Sequence, residues 1–134
     1  MAHGRKILII EDDPLIGLAN EAILADAGYE VVGVARTVSE AVAVAALEKP
    51  DLLIVDVNLS AGGDGIEAAT RIQNEFGIRP VFATANMDPQ TQARAASARP
   101  LGWVPKPYTR ERLLKAVAKA LHGLSNGEAP HQQA

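Results

Sequence analysis

The chain has 134 residues, 48% of them hydrophobic and 22% charged, with a formal net charge of -3. That length suits one domain with a real core, and this apolar content excludes a disordered or collagen-like chain. The absence of Cys excludes thiolate chemistry, Cys-ligated zinc and disulfides, and the acidic balance argues against a nucleic-acid module.

The basic N-terminus is followed by only a short apolar run, Ile7 to Ile10, and then by acids. That is too short for a signal-peptide core, and no stretch approaches the roughly 18 apolar residues of a membrane span. A cytoplasmic chain with no membrane or nucleic-acid partner is expected. Ile7-Leu8-Ile9-Ile10 has the continuous apolar character of a strand buried on both faces. Asp13 and Pro14 then open a helix as N-cap and first residue, and Ala27-Gly28 closes it. Its expected apolar face is Leu15, Leu18, Ala19, Ala22 and either Ile23 or Ala25. Val31 to Val34 is a second strand. Thr37-Val38-Ser39-Glu40 fits a capping box for a helix to about Glu48, stopped by Pro50.

Leu52 to Val55 is a third apolar strand, and Ile66, Ala69, Ile72 and Phe76 mark a third helix. Pro80 to Thr84 is the fourth strand. Asp88-Pro89 opens an Ala-rich fourth helix to about Ala98, which has little apolar area to anchor it. Leu101 to Val104 is the fifth strand. Thr109 caps a last helix with Leu113, Leu114, Val117, Leu121 and Leu124 on one side. Residues 123–134 are expected to be a loose tail, leaving a domain over 5–122 and no output domain. His3, His122 and His131 lie near the ends and add no site.

Apolar strands alternating with amphipathic helices imply an α/β fold, a parallel sheet covered on both faces. Ligands of such sheets bind beyond the carboxyl ends of the strands. There the chain places Glu11-Asp12-Asp13, Asp56, Thr84 and Lys106. Converging carboxylates repel one another, and a hard cation such as Mg2+ relieves this. A carboxylate such as Asp56 is able to attack phosphorus, with the metal and Lys106 neutralising the transferring group and Thr84 donating a hydrogen bond to it. Asp13 is kept as a helix cap.

The set Ile7 to Pro14, Asp51 to Asp56, Asp64-Gly65, Thr84-Ala85 and Lys106-Pro107 resembles the receiver domain of two-component response regulators, over about Lys6 to His122. The resemblance implies a three-layer (βα)5 doubly wound fold with a five-stranded parallel sheet in the flavodoxin-like order 2-1-3-4-5. It implies that Asp56 accepts a phosphoryl group from a sensor histidine kinase or a histidine phosphotransfer protein. Glu11, Asp12, Asp56 and the backbone carbonyl of Asn58 match the metal ligands, for Mg2+ with Mn2+ as a substitute. Thr84 and Lys106 match the residues that hold the phosphoryl group, and a cis Lys106-Pro107 bond is implied. Trp103, where the family more often has Tyr or Phe, matches its switch aromatic, and Pro107 and Tyr108 join it as a switch or partner surface. A second reading leaves Trp103 as packing against the fourth helix. The family implies a monomer or a phosphorylation-dependent dimer, and no turnover enzyme. Phe82-Ala83-Thr84 looks like the motif of a single-domain subgroup, which usually has Gly where Ala85 stands.

Three other readings compete. A phosphorylation-independent interaction module has no need of Glu11, Asp12, Asp56, Thr84 and Lys106 together. An aspartyl phosphatase wants a general acid two residues after its nucleophile, where Asn58 stands. A nucleotide-binding flavodoxin-like protein wants a Gly-rich loop after the first strand, and three acids stand there instead.

Overall fold

The computed structural model describes residues 5–59 and 63–125. Strands and helices alternate as β1 (Lys6–Ile10), α1 (Pro14–Asp26), β2 (Glu30–Ala35), α2 (Val38–Glu48), β3 (Leu52–Asp56), α3 (Gly65–Phe76), β4 (Pro80–Thr84), α4 (Pro89–Ala95), β5 (Gly102–Pro105) and α5 (Arg110–Ser125). The strands form one parallel five-stranded sheet in the order β2-β1-β3-β4-β5, as the resemblance implies.

Successive side chains of a strand point to opposite faces, so each central strand feeds two cores. Leu8, Ile10, Leu53, Val55 and Phe82 pack with Ala41 and Ala45 of α2 and Ile66, Ala69 and Ile72 of α3. Ile7, Ile9, Leu52, Ile54, Val81 and Val104 pack with Leu24 of α1 and Leu113, Val117 and Leu121 of α5. All residues of β3 and β4 are buried, which explains their unbroken apolar character up to the polar residues that end them.

The expected caps form. Asp13 accepts from the amides of Leu15 and Ile16, Asp88 from Thr91, and Thr109 from Arg112. At α2, Thr37 accepts from the Glu40 amide at 3.1 Å, and the Glu40 carboxylate reaches back to the Arg36 amide at 2.9 Å, one residue before the cap.

Three expectations are corrected. The buried residues of α1 are Gly17, Asn20 and Leu24, whereas Leu15 is 77% and Leu18 64% exposed. Ala19, Ala22 and Ala25 are exposed as well. Apolar residues line almost every side of this helix, so spacing alone does not choose its inner face. The fourth helix ends at Ala95, and Ala96–Ala98 continue as a 3-10 turn. Only Ala95 and Ala98 are buried in that stretch, in keeping with its weak anchoring. Helix α5 runs to Ser125, into the segment expected as a tail. The rest of that segment, His3, His131 and Ser60 to Gly62 lie outside the described residues. Among the described residues no helix is long and apolar enough to cross a membrane.

Candidate functional site

β1, β3, β4 and β5 stand consecutively in the parallel sheet, so their carboxyl ends share one edge. Glu11 and Asp12 follow β1, Asp56 ends β3, Thr84 ends β4, and Lys106 follows β5. Carboxylate oxygens of Glu11, Asp12 and Asp56 lie within 4.8 Å of one another. Lys106 Nζ sits 3.2 Å from Asp56 Oδ1, and the Asn58 amide donates to the same oxygen at 3.2 Å. The Lys106-Pro107 peptide bond is cis.

Glu11 and Asp56 are both buried. Burial is the main reason the Glu11 carboxyl is raised from its ordinary 4.5 to about 7. The nearby Asp56 charge and a hydrogen bond with Asp56 raise it further, while the Asp13 amide, donating to Glu11 Oε2 at 3.1 Å, and Lys106 pull it down. Lys106 thus acts on both Asp56 and Glu11, with the Asp12 carboxylate beside them. An oxygen-only donor set with excess negative charge fits a hard divalent cation.

Thr84 belongs to the same edge, but its hydroxyl engages its own turn. Thr84 Oγ1 donates to the Asn86 carbonyl at 3.2 Å and accepts from the Asn86 amide at 3.1 Å. Its neighbour Ala83 pairs with Asp56 across the sheet.

The switch residues are not brought together. Trp103 is half-buried and stacks obliquely on Phe82, with ring centroids 5.0 Å apart. It packs against the core that includes Ala95 and Ala98, close to the packing alternative. Pro107 and Tyr108 line a different groove of about 320 Å³ with Ile16, Ala19, Asn20 and Lys106. There Asn20 Nδ2 donates to Tyr108 Oη at 2.8 Å. Burial raises the Tyr108 hydroxyl above its ordinary 10.0.

Sequence reasoning missed three supports of the site. The first is Gly65, where a Cβ would lie 1.9 Å from the Asp56 carbonyl oxygen. The start of α3 therefore rests directly on the backbone of Asp56, and the Gly65 amide donates to the Val57 carbonyl at 3.0 Å. The Asp64-Gly65 pair was visible in the sequence, but not this close approach. The second is Asp64 itself, which caps α3 through the Ile66 amide, pairs with Arg94 of α4, and bridges to Asn58. The third is the buried Asn20 amide held by Tyr108, a partner 88 residues away that no local pattern announces.

The sequence profile of the response regulator receiver domain matches residues 7–118. The chain belongs to this family. It is a receiver domain of the kind that serves two-component signalling, with the fold and strand order of that family. Among curated relatives, the phyllosphere-induced regulator PhyR of Methylorubrum extorquens is 34% identical over 117 residues, 87% of this chain and 43% of that protein. The transcriptional regulatory protein PdtaR of Mycobacterium tuberculosis is 37% identical over 120 residues, 90% of this chain and 58% of that protein. This receiver thus spans about half the length of these relatives. Among solved structures, the N-terminal domain of a response regulator/sensory box/GGDEF 3-domain protein from Carboxydothermus hydrogenoformans superposes with a TM-score of 0.82 at 32% identity, covering 92% of this chain and 99% of that one.

Proposed function

We propose that this receiver accepts one phosphoryl group on Asp56 from a phosphohistidine of a kinase or phosphotransfer protein, and that the modified form binds a protein partner differently. The observation that carries the reading is the pairing of Asp56 Oδ1 with Lys106 at 3.2 Å inside a cluster of three carboxyl groups. Asp56 is the member of the cluster that the Asn58 amide and Lys106 hold from one side.

Glu11, Asp12, Asp56 and the Asn58 carbonyl would hold Mg2+. When bound, the ion supplies charge neutralisation at the phosphoryl oxygens. The protein's own contribution is geometric and electrostatic. An Asp56 carboxylate oxygen forms the new bond to phosphorus as the bond from phosphorus to the donor imidazole nitrogen breaks, and the imidazole leaves with the electron pair. Lys106 offsets charge on the group being transferred. Thr84 must exchange its contacts with Asn86 for a phosphoryl oxygen, and that exchange is the conformational step beside Phe82 and Trp103. The product is the modified protein, so the chain is a signalling element and not a turnover enzyme.

The exposed Leu15 and Leu18 adjoin the acidic turn after β1 and offer an apolar landing for the donor protein. Incubation with Mg2+ and a small phosphodonor, followed by intact mass, tests the reading. Wild type is expected to gain the mass of one phosphoryl group, and chelated protein and Asp56→Asn to gain none. Equal labelling of Asp56→Asn, or none of wild type, overturns it.

A further inference from the structure

Lys106 sits on the short turn between β5 and α5. The turn is held at Lys106 itself, whose amide donates to the Thr84 carbonyl at 2.9 Å, and again at Thr109, which caps α5. Between these points Tyr108 fastens it sideways to α1, where Asn20 Nδ2 donates to Tyr108 Oη at 2.8 Å.

Asn20 is only 5% exposed, on a helix whose other buried residues are Gly17 and Leu24. A buried amide is costly unless it is bonded, and Tyr108 supplies the bond. The bond lies in the groove that Ile16, Ala19 and Pro107 line, an apolar setting that strengthens it. The charges of Glu11, Lys106 and Asp56 all act on the Tyr108 hydroxyl, which therefore stands close to the site.

Both ends of the bond are tied to the site. Tyr108 is two residues from Lys106, and Pro107 between them has a fixed φ. Asn20 belongs to the helix that Asp13 caps, and the Asp13 amide donates to Glu11 Oε2 at 3.1 Å. That helix has no slack toward the sheet, since a Cβ on Gly17 would lie 2.8 Å from Val34 Cγ1. A ring of contacts thus runs from Lys106 through Tyr108, Asn20 and α1 to Glu11. The hydrogen bond between Glu11 and Asp56 and the pairing of Asp56 with Lys106 at 3.2 Å close it.

We propose that Tyr108 and Asn20 are positioning residues for phosphoryl transfer: their bond fixes the turn against α1 and so holds Lys106 where charge develops on the transferring group. The Lys106 side chain is 26% exposed on a flexible stem, so its aim depends on where its backbone stands. A displacement of about 1 Å costs up to about a hundredfold in rate. The inference rests on Asp56 as the phosphoryl acceptor and adds two residues outside the strand-end set.

The probe is acetyl phosphate with Mg2+, and intact mass gives the rate of labelling of the full chain. An Asp56 oxygen bonds phosphorus as the bond from phosphorus to the acetate oxygen breaks, and acetate leaves with the electron pair. Tyr108→Phe and Asn20→Leu are each expected to slow labelling about tenfold. Asn20→Leu/Tyr108→Phe replaces both partners by apolar groups, so stability in denaturant is expected to return toward wild type while labelling stays slow. A merely structural bond predicts that the rate recovers with stability. In Lys106→Gln, adding Tyr108→Phe is expected to change nothing further, because the group it aims is gone. Arg110→Gln removes the exposed tie from the start of α5 to Asp26 of α1 and is expected to change the rate less than about twofold. Wild-type labelling of Tyr108→Phe, recovery of the rate in the double variant, equal slowing by Arg110→Gln, or a further loss of about tenfold in the Lys106→Gln background overturns the inference. No labelling of wild type overturns the reading of Asp56 and the inference with it, so the two failures are told apart.

Discussion

Replacing Gly65 by Ala tests the seat of Asp56. The new Cβ would lie 1.9 Å from the Asp56 carbonyl oxygen and 2.9 Å from both its carbon and Val55 Cγ1. Two of these neighbours are backbone of a fully buried strand, so the start of α3 is the part that must move. Overpacking of this kind costs about 1–3 kcal/mol. Moving α3 also breaks the bond from the Gly65 amide to the Val57 carbonyl, worth about 1 kcal/mol. Reduced freedom of the unfolded chain returns about 0.4–1 kcal/mol. The net loss is about 1–3.6 kcal/mol, which at about 2.1 cal/mol/K per residue lowers the melting temperature by about 4–13 °C. Calorimetry on the full chain measures this directly. Gly77→Ala is the control, because Gly77 has φ +72 and nothing within 4 Å of its would-be Cβ. It pays only for the left-handed backbone, about 1–2 kcal/mol. A Gly65→Ala protein that melts with wild type would refute the close-approach reasoning.

Other consequences are as direct. Glu11 in the folded chain keeps its proton up to about pH 7, whereas an ordinary Glu loses it near 4.5. The folded state therefore holds the extra proton between those values, and this group's contribution to stability falls as pH rises through that window and is level above it. Metal binding needs the carboxylate, so apparent Mg2+ affinity, followed by calorimetric titration, should rise about tenfold per pH unit and level off above about 7. A pH-independent affinity would count against Glu11 as a ligand. Tyr108→Phe removes the acceptor of the buried Asn20 amide and should cost about 1–3 kcal/mol in denaturant unfolding. No loss would mean that water replaces the bond. Leu15→Ser and Leu18→Ser should each change stability by less than about 0.5 kcal/mol, whereas Leu24→Ala should cost about 2–5 kcal/mol. The reverse order would restore the inner face that spacing suggested for α1.

The sheet was legible because its central strands are buried on both faces, and short apolar runs such as Leu52 to Val55 recur between helical patterns. The caps were legible because Asp13, Thr37, Asp88 and Thr109 act on amides two or three residues away. The site was legible at the level of residue type, since strand ends in such a sheet converge whatever the loops do. Contacts between distant elements were not. Nothing local distinguishes Gly65 from a glycine that merely turns the chain. Asn20 on α1 looks like a solvent residue until the turn between β5 and α5 brings Tyr108 to it. The inner face of α1 failed for a related reason. Its burial is decided by where Val34 and the α5 side chains stand, and Gly17 comes close enough that its Cβ would lie 2.8 Å from Val34 Cγ1.

The central claim is that one carboxylate, Asp56, takes the phosphoryl group. Borohydride reduces an acyl phosphate to the alcohol, so treating the phosphodonor-modified protein and mapping its peptides reads the position of attachment. The account predicts homoserine at position 56, only when Mg2+ was present. A reduced residue at Glu11, Asp12 or Asp13 in its place, or reduction at position 56 that persists without metal, would contradict it.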